Sequence, residues 1–114
     1  RTEVIVAFTE PVQPLSVEQL RARLADASVR VIDVRPAQDR AKAPFAAASI
    51  LDSDTLPSLE GLPKDTPLAF LCHFGQSSRQ AAEHFRGLGF TQIYNVEGGI
   101  DAWSQRIDPT VPRY

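Results

Sequence analysis

The stretch that decides the fold is Leu68-Ala-Phe-Leu-Cys72-His-Phe-Gly-Gln-Ser-Ser78. Its first part, 68–72, is a continuous apolar run, which is typical of a central parallel strand covered on both faces. A polar loop containing Gly75 follows, and a helix is predicted from about Ser78 to Leu88, with Gly89 as its stop signal. The apolar face of this helix is formed by Ala81, Ala82, Phe85 and Leu88. Cys72 is therefore predicted at the carboxyl end of a central strand.

Strands and helices alternate on both sides of this unit. Further strands are predicted at 29–34, 49–51 and 93–96. Helices are predicted after the N-cap residue Ser16, at 55–60, and from Gly98-Gly99 through Trp103. Residues 41–48 are predicted to be irregular, and no element is assigned to residues 36–40. The alternation indicates an α/β fold with a mainly parallel sheet flanked by helices on both faces. In such folds ligands bind beyond the carboxyl ends of the strands.

The length of 114 residues fits a single domain, with a core at about 15–107. Residues 1–14 are predicted to form an edge strand, at Val4–Phe8, or an N-terminal arm. The chain begins at Arg1 and contains no methionine. We therefore expect it to be a domain taken from a longer protein.

Composition excludes several classes of function. The net charge of −2 provides no basic stripe for nucleic acid, and no apolar run approaches the ~20 residues of a membrane span. The single cysteine excludes an intramolecular disulfide and a Cys-x-x-Cys redox pair. With only two histidines besides, a structural zinc site is not expected, and neither is a cofactor. The absence of a disulfide fits the cytoplasm, although one cysteine is equally tolerable in a periplasm.

The loop after Cys72 has the features of an anion cradle. A tight glycine-containing loop turns successive backbone N–H groups inward, and the following helix, predicted to be capped by Ser77 or Ser78, adds its positive dipole end. A cysteine sulfur held there would be shifted toward the nucleophilic thiolate. The competing interpretation is a small buried core residue, since free cysteine is among the most buried residue types. The position of Cys72 between strand and loop favours the cradle.

Three motifs in the same order resemble the rhodanese, or sulfurtransferase, family, and especially its single-domain members. Residues 72–78 resemble the active-site loop, Asp33-Val-Arg35 resembles the Asp-x-Arg element, and residues 96–103 resemble the closing Gly-Gly-helix-Trp signature. The resemblance runs from about Leu15 to Ile107. The C-terminal half also resembles rhodanese domains fused to other modules, such as glutaredoxin-like proteins and ubiquitin-like-protein activating enzymes.

The resemblance implies a rhodanese-like fold and sulfur transfer through a Cys72 persulfide. The sulfur would pass from a donor such as thiosulfate to a thiol or cyanide, and no metal or cofactor would be needed. The implied binding loop comprises His73, Phe74, Gly75, Gln76, Ser77 and Ser78. Implied partners are a small sulfur donor and a thiol acceptor, together with a protein partner or a fused redox domain.

This sequence departs from the family pattern at two places. The family's Gly-His-Ile-Pro-Gly-Ala stretch is replaced by residues 43–48, Ala-Pro-Phe-Ala-Ala-Ala, so no role is carried over to it. The active loop also contains no Arg or Lys, and its polar side chains are His73, Gln76 and Ser77. An anionic donor would therefore be held by backbone N–H groups and the helix dipole alone.

Several side chains have two interpretations. Arg35 is either an electrostatic helper of the reaction or half of a structural pair with Asp33. His73 either touches the substrate or is a solvated loop histidine. For His84 a surface position is expected, and for Trp103 a position in the core.

Two other functions compete with sulfur transfer as interpretations of this loop. Cysteine phosphatases need an arginine six residues after the nucleophile, and here that residue is Ser78, with Arg79 one position late, so a phosphatase is excluded. A tethered persulfide carrier or interaction module, with little turnover of its own, shares the same loop. This alternative stays open at the level of sequence.

Overall fold

The computed structural model describes residues 11–114, and its centre is a sheet of five parallel strands. The strands lie in the order β1-β5-β4-β2-β3. Their bounds are β1 Gln13–Leu15, β2 Arg30–Asp33, β3 Ala48–Ile50, β4 Leu68–Leu71 and β5 Ile93–Val96. The predicted α/β class with a parallel sheet is confirmed.

Helices connect the strands and cover both faces of the sheet. Their bounds are α1 Val17–Ala25, α2 Ala37–Lys42, α3 Leu56–Glu60, α4 Ser77–Gly87 and α5 Gly99–Arg106. One apolar cluster joins α1 and α5 to one face of the sheet through side chains such as Leu20 and Trp103. The other cluster joins α3 and α4 to the opposite face through Leu59 and Phe85. Trp103 is therefore a core residue, as predicted.

Strand β4 lies in the middle of the sheet and is buried along its whole length. Successive side chains point to opposite faces of a strand, so Leu68 and Phe70 enter one cluster while Ala69 and Leu71 enter the other. The continuous apolar run predicted this placement correctly. Because α4 and α5 pack around its carboxyl end, the residues after Leu71 are held by three elements.

Some predicted elements differ from the structure. The predicted strand Val4–Phe8 lies outside the described residues. Within residues 11–114 one edge of the sheet is β1, which tolerates Pro14 because an edge strand need not donate every N–H group. Helix α2 was not predicted, because it buries no side chain and so has no apolar periodicity, and its last two residues were included in the segment 41–48 predicted as irregular. The prediction that Leu88 lies on the buried face of α4 was wrong, since it follows the helix and is 39% exposed.

Within residues 11–114, no helix is both long enough and apolar enough to cross a membrane.

Candidate active site

Cys72 directly follows β4 and is almost fully buried, with 3% of its surface exposed. The chain then reverses through Gly75, whose φ of +96° is a conformation that side-chain-bearing residues rarely adopt. This turn directs the Gly75 N–H at the Cys72 Sγ, with an N–Sγ distance of 3.1 Å. The cradle expected from the sequence is therefore present, with the sulfur at its centre.

The first turn of α5 holds the outer side of the loop. The Ile100 N–H donates to the Cys72 carbonyl at 2.8 Å, and the Asp101 N–H donates to the His73 carbonyl at 3.1 Å. In a trans peptide the C=O and N–H groups point in opposite directions. Binding the His73 carbonyl to α5 therefore turns the Phe74 N–H toward the sulfur, where it helps to lower the pKa of the Cys72 thiol.

Gly99 permits this close approach of α5 to the loop. It has a φ of +59°, and a Cβ at this position would overlap the carbonyl oxygen of Cys72 and lie 2.6 Å from that of His73. Any larger residue would push the helix away from the two carbonyls. Gly99 is thus required for the geometry of the cysteine loop, which follows a different strand.

The surroundings of Cys72 favour its thiolate. Burial raises the pKa of the Cys72 thiol, but hydrogen bonds from the Ser78 side chain and from the backbone N–H groups of Ser78, Gly75 and Phe74 lower it by more. The resulting pKa lies below the ordinary value for cysteine. A more acidic thiol provides more of the nucleophilic form near neutral pH.

The predicted capping of α4 by Ser77 or Ser78 was wrong. Gln76 is the N-cap residue and makes no side-chain cap hydrogen bond. Ser78 lies inside the first turn with no exposed surface, and its hydroxyl donates to Asn95 Oδ1 at 2.5 Å. The Ser78 side chain therefore points toward the interior, where it hydrogen-bonds Asn95, and it does not cap the helix.

Asn95 on β5 was not among the predicted site residues. It is 4% exposed, and its Nδ2 donates to the Gly75 carbonyl at 2.9 Å. The sequence does contain a signal for it, since Asn95 is the one polar residue directed inward in an otherwise apolar strand. Its partners could not be inferred, because they lie on a loop and a helix that only the tertiary fold brings near.

His73 is enclosed by aromatic rings, so the expected solvated loop histidine was wrong. Its ring stacks on Phe74 and on Tyr114, with a centroid distance of 3.9 Å in each pair. Its Nε2 is buried and has no hydrogen-bond partner among the described residues. Tyr114 was not predicted to be near the site.

Tyr114 reaches the loop because residues 108–114 form a strap along α5. The Ser104 hydroxyl donates to the Val111 carbonyl, and Arg113 Nε donates to Asp101 Oδ1 at 3.0 Å. Burial raises the pKa of Tyr114, so its hydroxyl stays protonated at neutral pH. That hydroxyl accepts a hydrogen bond from Arg35 Nη1 at 3.2 Å.

Arg35 lies after β2, beside the strand that carries Cys72. It is 2% exposed and pairs with Asp33, with an Nη2–Oδ2 distance of 2.7 Å. Its Nη1 bonds the Asp39 carbonyl and Tyr114, and none of its hydrogen bonds within 11–114 reaches residues 72–78. The pair with Asp33 is thus present, and an electrostatic role of Arg35 in the reaction stays a prediction.

The remaining predicted residues face outward. Phe74 is 55% exposed, and Gln76 and Ser77 are also exposed at the mouth of the loop. His84 is on the surface, as expected, with its Nε2 2.7 Å from Glu60 Oε2. No grouping of three or more metal-binding side chains occurs among residues 11–114.

The structure is thus an α/β domain with a buried cysteine of lowered pKa at the carboxyl end of a central parallel strand. The Rhodanese-like domain family matches residues 16–106. The chain belongs to this family, which confirms the resemblance drawn from the three motifs.

Relatives include sulfurtransferases with and without further domains. The chain is 31% identical over 90 residues to thiosulfate sulfurtransferase GlpE of Tolumonas auensis, covering 78% of this chain and 85% of that protein. It is 31% identical over 102 residues to adenylyltransferase and sulfurtransferase uba4 of Ogataea parapolymorpha, covering 88% of this chain but 25% of that protein.

Solved structures have the same fold. The human single-domain sulfurtransferase TSTD1 superposes with a TM-score of 0.71 at 24% identity, over 83% of this chain and 97% of that chain. A rhodanese-like domain protein from Staphylococcus aureus superposes with a TM-score of 0.69 at 26% identity, over 81% and 91%.

Proposed function

We propose that this domain is a sulfurtransferase that carries sulfane sulfur as a persulfide on Cys72. The observation that carries the proposal is the convergence of Gly75, Phe74 and Ser78 donors on one buried sulfur, with the Gly75 nitrogen 3.1 Å away. Such donors stabilise an anion on sulfur as an oxyanion hole does on oxygen. The sulfurtransferase names of both curated relatives support the same chemistry.

In the first step, the Cys72 thiolate attacks the outer sulfur of a donor such as thiosulfate. An S–S bond forms to Cys72 while the S–S bond of thiosulfate breaks, and sulfite leaves with the electron pair. In the second step, a thiolate or cyanide attacks the outer persulfide sulfur. The Cys72–sulfur bond then breaks, and its electron pair returns to Cys72 as thiolate. This is covalent, ping-pong catalysis.

The acceptor has to come from outside the chain. Because Cys72 is the only cysteine, its persulfide cannot be resolved as an internal disulfide. We infer a thiol acceptor in a reducing, cytoplasmic setting, where structural disulfides are rare and small thiols are maintained. Cyanide serves as the acceptor in an assay.

The donor is bound without a positively charged side chain in the loop. The polar groups at the mouth are Gln76, Ser77 and backbone N–H groups, and Phe74 adds an exposed apolar edge. The loop therefore suits a donor held by neutral hydrogen-bond donors. Arg35 on the neighbouring strand is paired with Asp33, so its electrostatic effect on the donor stays a prediction.

A second candidate is a persulfide carrier within a longer protein. Its support is that this chain spans only 25% of the uba4 relative, whose name combines two activities. In that role, Cys72 would receive sulfur from the persulfide of a protein partner or fused redox domain. Turnover of small donors would be negligible.

The test is mass spectrometry of the intact chain after exposure to thiosulfate, with cyanide-dependent release of sulfite and thiocyanate measured in parallel. We expect the wild-type chain to gain the mass of one sulfur atom on Cys72 and to convert thiosulfate and cyanide to sulfite and thiocyanate. In Cys72→Ser both signals should fall to background while the fold is retained.

Ser58→Ala, at an exposed position on α3, is the matched control and should behave as wild type. Sulfur loading or turnover retained in Cys72→Ser would refute the mechanism. Loading from a protein persulfide without turnover of thiosulfate would identify the carrier instead.

A further inference from the structure

Asn95 is a buried polar side chain whose hydrogen bonds both go to the cysteine loop. It lies on β5, in register with Phe70 of the strand that carries Cys72. A buried amide is costly unless its donors and acceptors are satisfied. Its Nδ2 donates to the Gly75 carbonyl at 2.9 Å, and its Oδ1 accepts from the Ser78 hydroxyl at 2.5 Å. The sheet itself receives no side-chain hydrogen bond from it.

The orientation of the Asn95 amide follows from its partners. A backbone carbonyl can only accept, so the group facing Gly75 must be the NH₂ donor. The oxygen is left facing Ser78, and this requires the Ser78 hydroxyl to donate. Both ends of the amide are thereby assigned by chemistry.

Gly75 and Ser78 also act on the sulfur, since both lower the pKa of the Cys72 thiol. The Gly75 N–H donates to Cys72 Sγ at 3.1 Å while its carbonyl is held by Asn95. A side chain that fixes the carbonyl of a residue restricts the direction of its N–H. Asn95 therefore positions a donor to sulfur without touching the sulfur.

The Ser78 hydroxyl has one proton for two acceptors, Asn95 Oδ1 and the Cys72 sulfur. When the sulfur is a neutral thiol, the Ser78 hydroxyl can donate to Asn95 Oδ1. When the sulfur is anionic, the hydroxyl forms a stronger hydrogen bond by rotating toward the sulfur, since hydrogen bonds to charged groups are stronger. The proton stays on the Ser78 oxygen throughout, and only its direction changes.

We propose that Asn95 is a positioning residue for Cys72, holding the Gly75 donor in place and sharing the Ser78 hydroxyl proton with the sulfur. It would thereby adapt the loop to a sulfur that alternates between neutral and anionic forms. This inference rests on the proposed function, in which Cys72 is the reacting group.

The test measures the pH dependence of Cys72 alkylation by iodoacetamide, with no sulfur donor present. Asn95→Asp keeps the size of the side chain and the acceptor for Ser78 but replaces the donor to Gly75 by an acceptor. The carboxylate should also hold the Ser78 proton more firmly. We expect a rise in the alkylation midpoint, which is the pH at which Cys72 alkylation reaches half of its maximal rate. The rate at neutral pH should be about tenfold lower.

A double-mutant cycle separates positioning from simple charge repulsion. The same substitution is made in Ser78→Ala, where no hydroxyl proton can be shared. We expect the shift caused by Asn95→Asp to fall by about half or more in that background, because coupled residues are non-additive. Equal shifts in the two backgrounds, or no shift at all, would overturn the proposal. Ser104→Ala, a buried polar control on α5, should leave the midpoint unchanged.

Should the buried carboxylate unfold the domain, the wild-type chain supplies the same answer by NMR. The side-chain amide signals of Asn95 should shift with the alkylation midpoint of Cys72, and this response should be reduced in Ser78→Ala. Amide signals that do not follow Cys72 would overturn the proposal. Because alkylation needs no sulfur donor, failure of sulfur transfer in the wild-type chain would count against the proposed function alone.

Discussion

The loop after β4 and the turn after β2 follow the carboxyl ends of two neighbouring strands, in which Leu71 and Asp33 are paired in register. We call them the cysteine corner and the arginine corner. The first surrounds Cys72 with neutral donors, namely backbone N–H groups and a hydroxyl. The second surrounds Arg35 with a carboxylate, a carbonyl and a phenol. Cys72 and Arg35 are both almost fully buried, but their hydrogen-bond partners differ in charge.

The comparison shows that a buried charged pair and a set of neutral donors leave different capacities for binding an anion. The Asp33 and Arg35 charges neutralise each other, which makes the turn after β2 a rigid support. The N–H groups of the β4 loop carry only partial charges and need no counter-ion, so they remain available to an anion that forms on sulfur. The two corners are joined by Tyr114, which bonds Arg35 and stacks on His73.

The largest effect on this comparison is expected from Gly99→Ala, which separates α5 from the β4 loop. A left-handed conformation costs a side-chain-bearing residue about 1–2 kcal/mol, and overpacking adds about 1–3 kcal/mol. We expect the free energy of unfolding to fall by the sum, and the alkylation midpoint of Cys72 to rise. Urea denaturation and alkylation measure the two effects.

Gly87→Ala is the matched control, because no atom lies within 4 Å of the added methyl group. Within helix α4 this substitution should be neutral or stabilise by up to about 1 kcal/mol. Equal stability of Gly99→Ala and wild type would show that the close approach of α5 is not required.

A loss of stability of similar size, but without the effect on Cys72, should come from Asp33→Asn, which leaves the Arg35 charge buried and uncompensated. Breaking a buried pair from one side costs about 3–5 kcal/mol. We expect urea denaturation to show this loss, with little change in the alkylation midpoint of Cys72, because the two corners use separate donors.

Glu83→Gln, which breaks the exposed pair with Arg86, is the control and should change stability by no more than about 0.5 kcal/mol. A midpoint shift in Asp33→Asn as large as that in Asn95→Asp would contradict the separation of the corners. Arg35 would then act on Cys72 directly, as the electrostatic interpretation of the sequence holds.

The smallest effects are expected at Tyr114, the contact between the corners. Tyr114→Phe keeps the stack on His73 and removes the acceptor for Arg35, at a cost of about 1 kcal/mol. Tyr114→Ala removes the stack as well, worth about a further 0.5–1.5 kcal/mol. The histidine ring signals in NMR should change strongly only in Tyr114→Ala, and the same change in both variants would argue against stacking.

Prediction from sequence succeeded where local pattern and burial coincide. The apolar run 68–72 and the polar loop behind it placed Cys72 at the end of a central strand, and the structure confirms that placement. Ser16 was correctly identified as the N-cap of α1, because its capping box involves only Gln19 three residues later. Helix α2 was missed because it buries no side chain and so has no periodicity to detect.

The sequence alone determined the α/β class, the family and the position of Cys72 at the end of a central strand, because each is encoded by residues close together in the chain. Only the tertiary structure decided what surrounds Cys72. Asn95, Gly99 and Tyr114 lie 23, 27 and 42 positions further along the chain, and they reach the loop through strand pairing, a left-handed glycine and a returning strap. Hydrogen bonds and ring contacts between such distant residues depend on the packed geometry of the whole domain, which no local pattern contains.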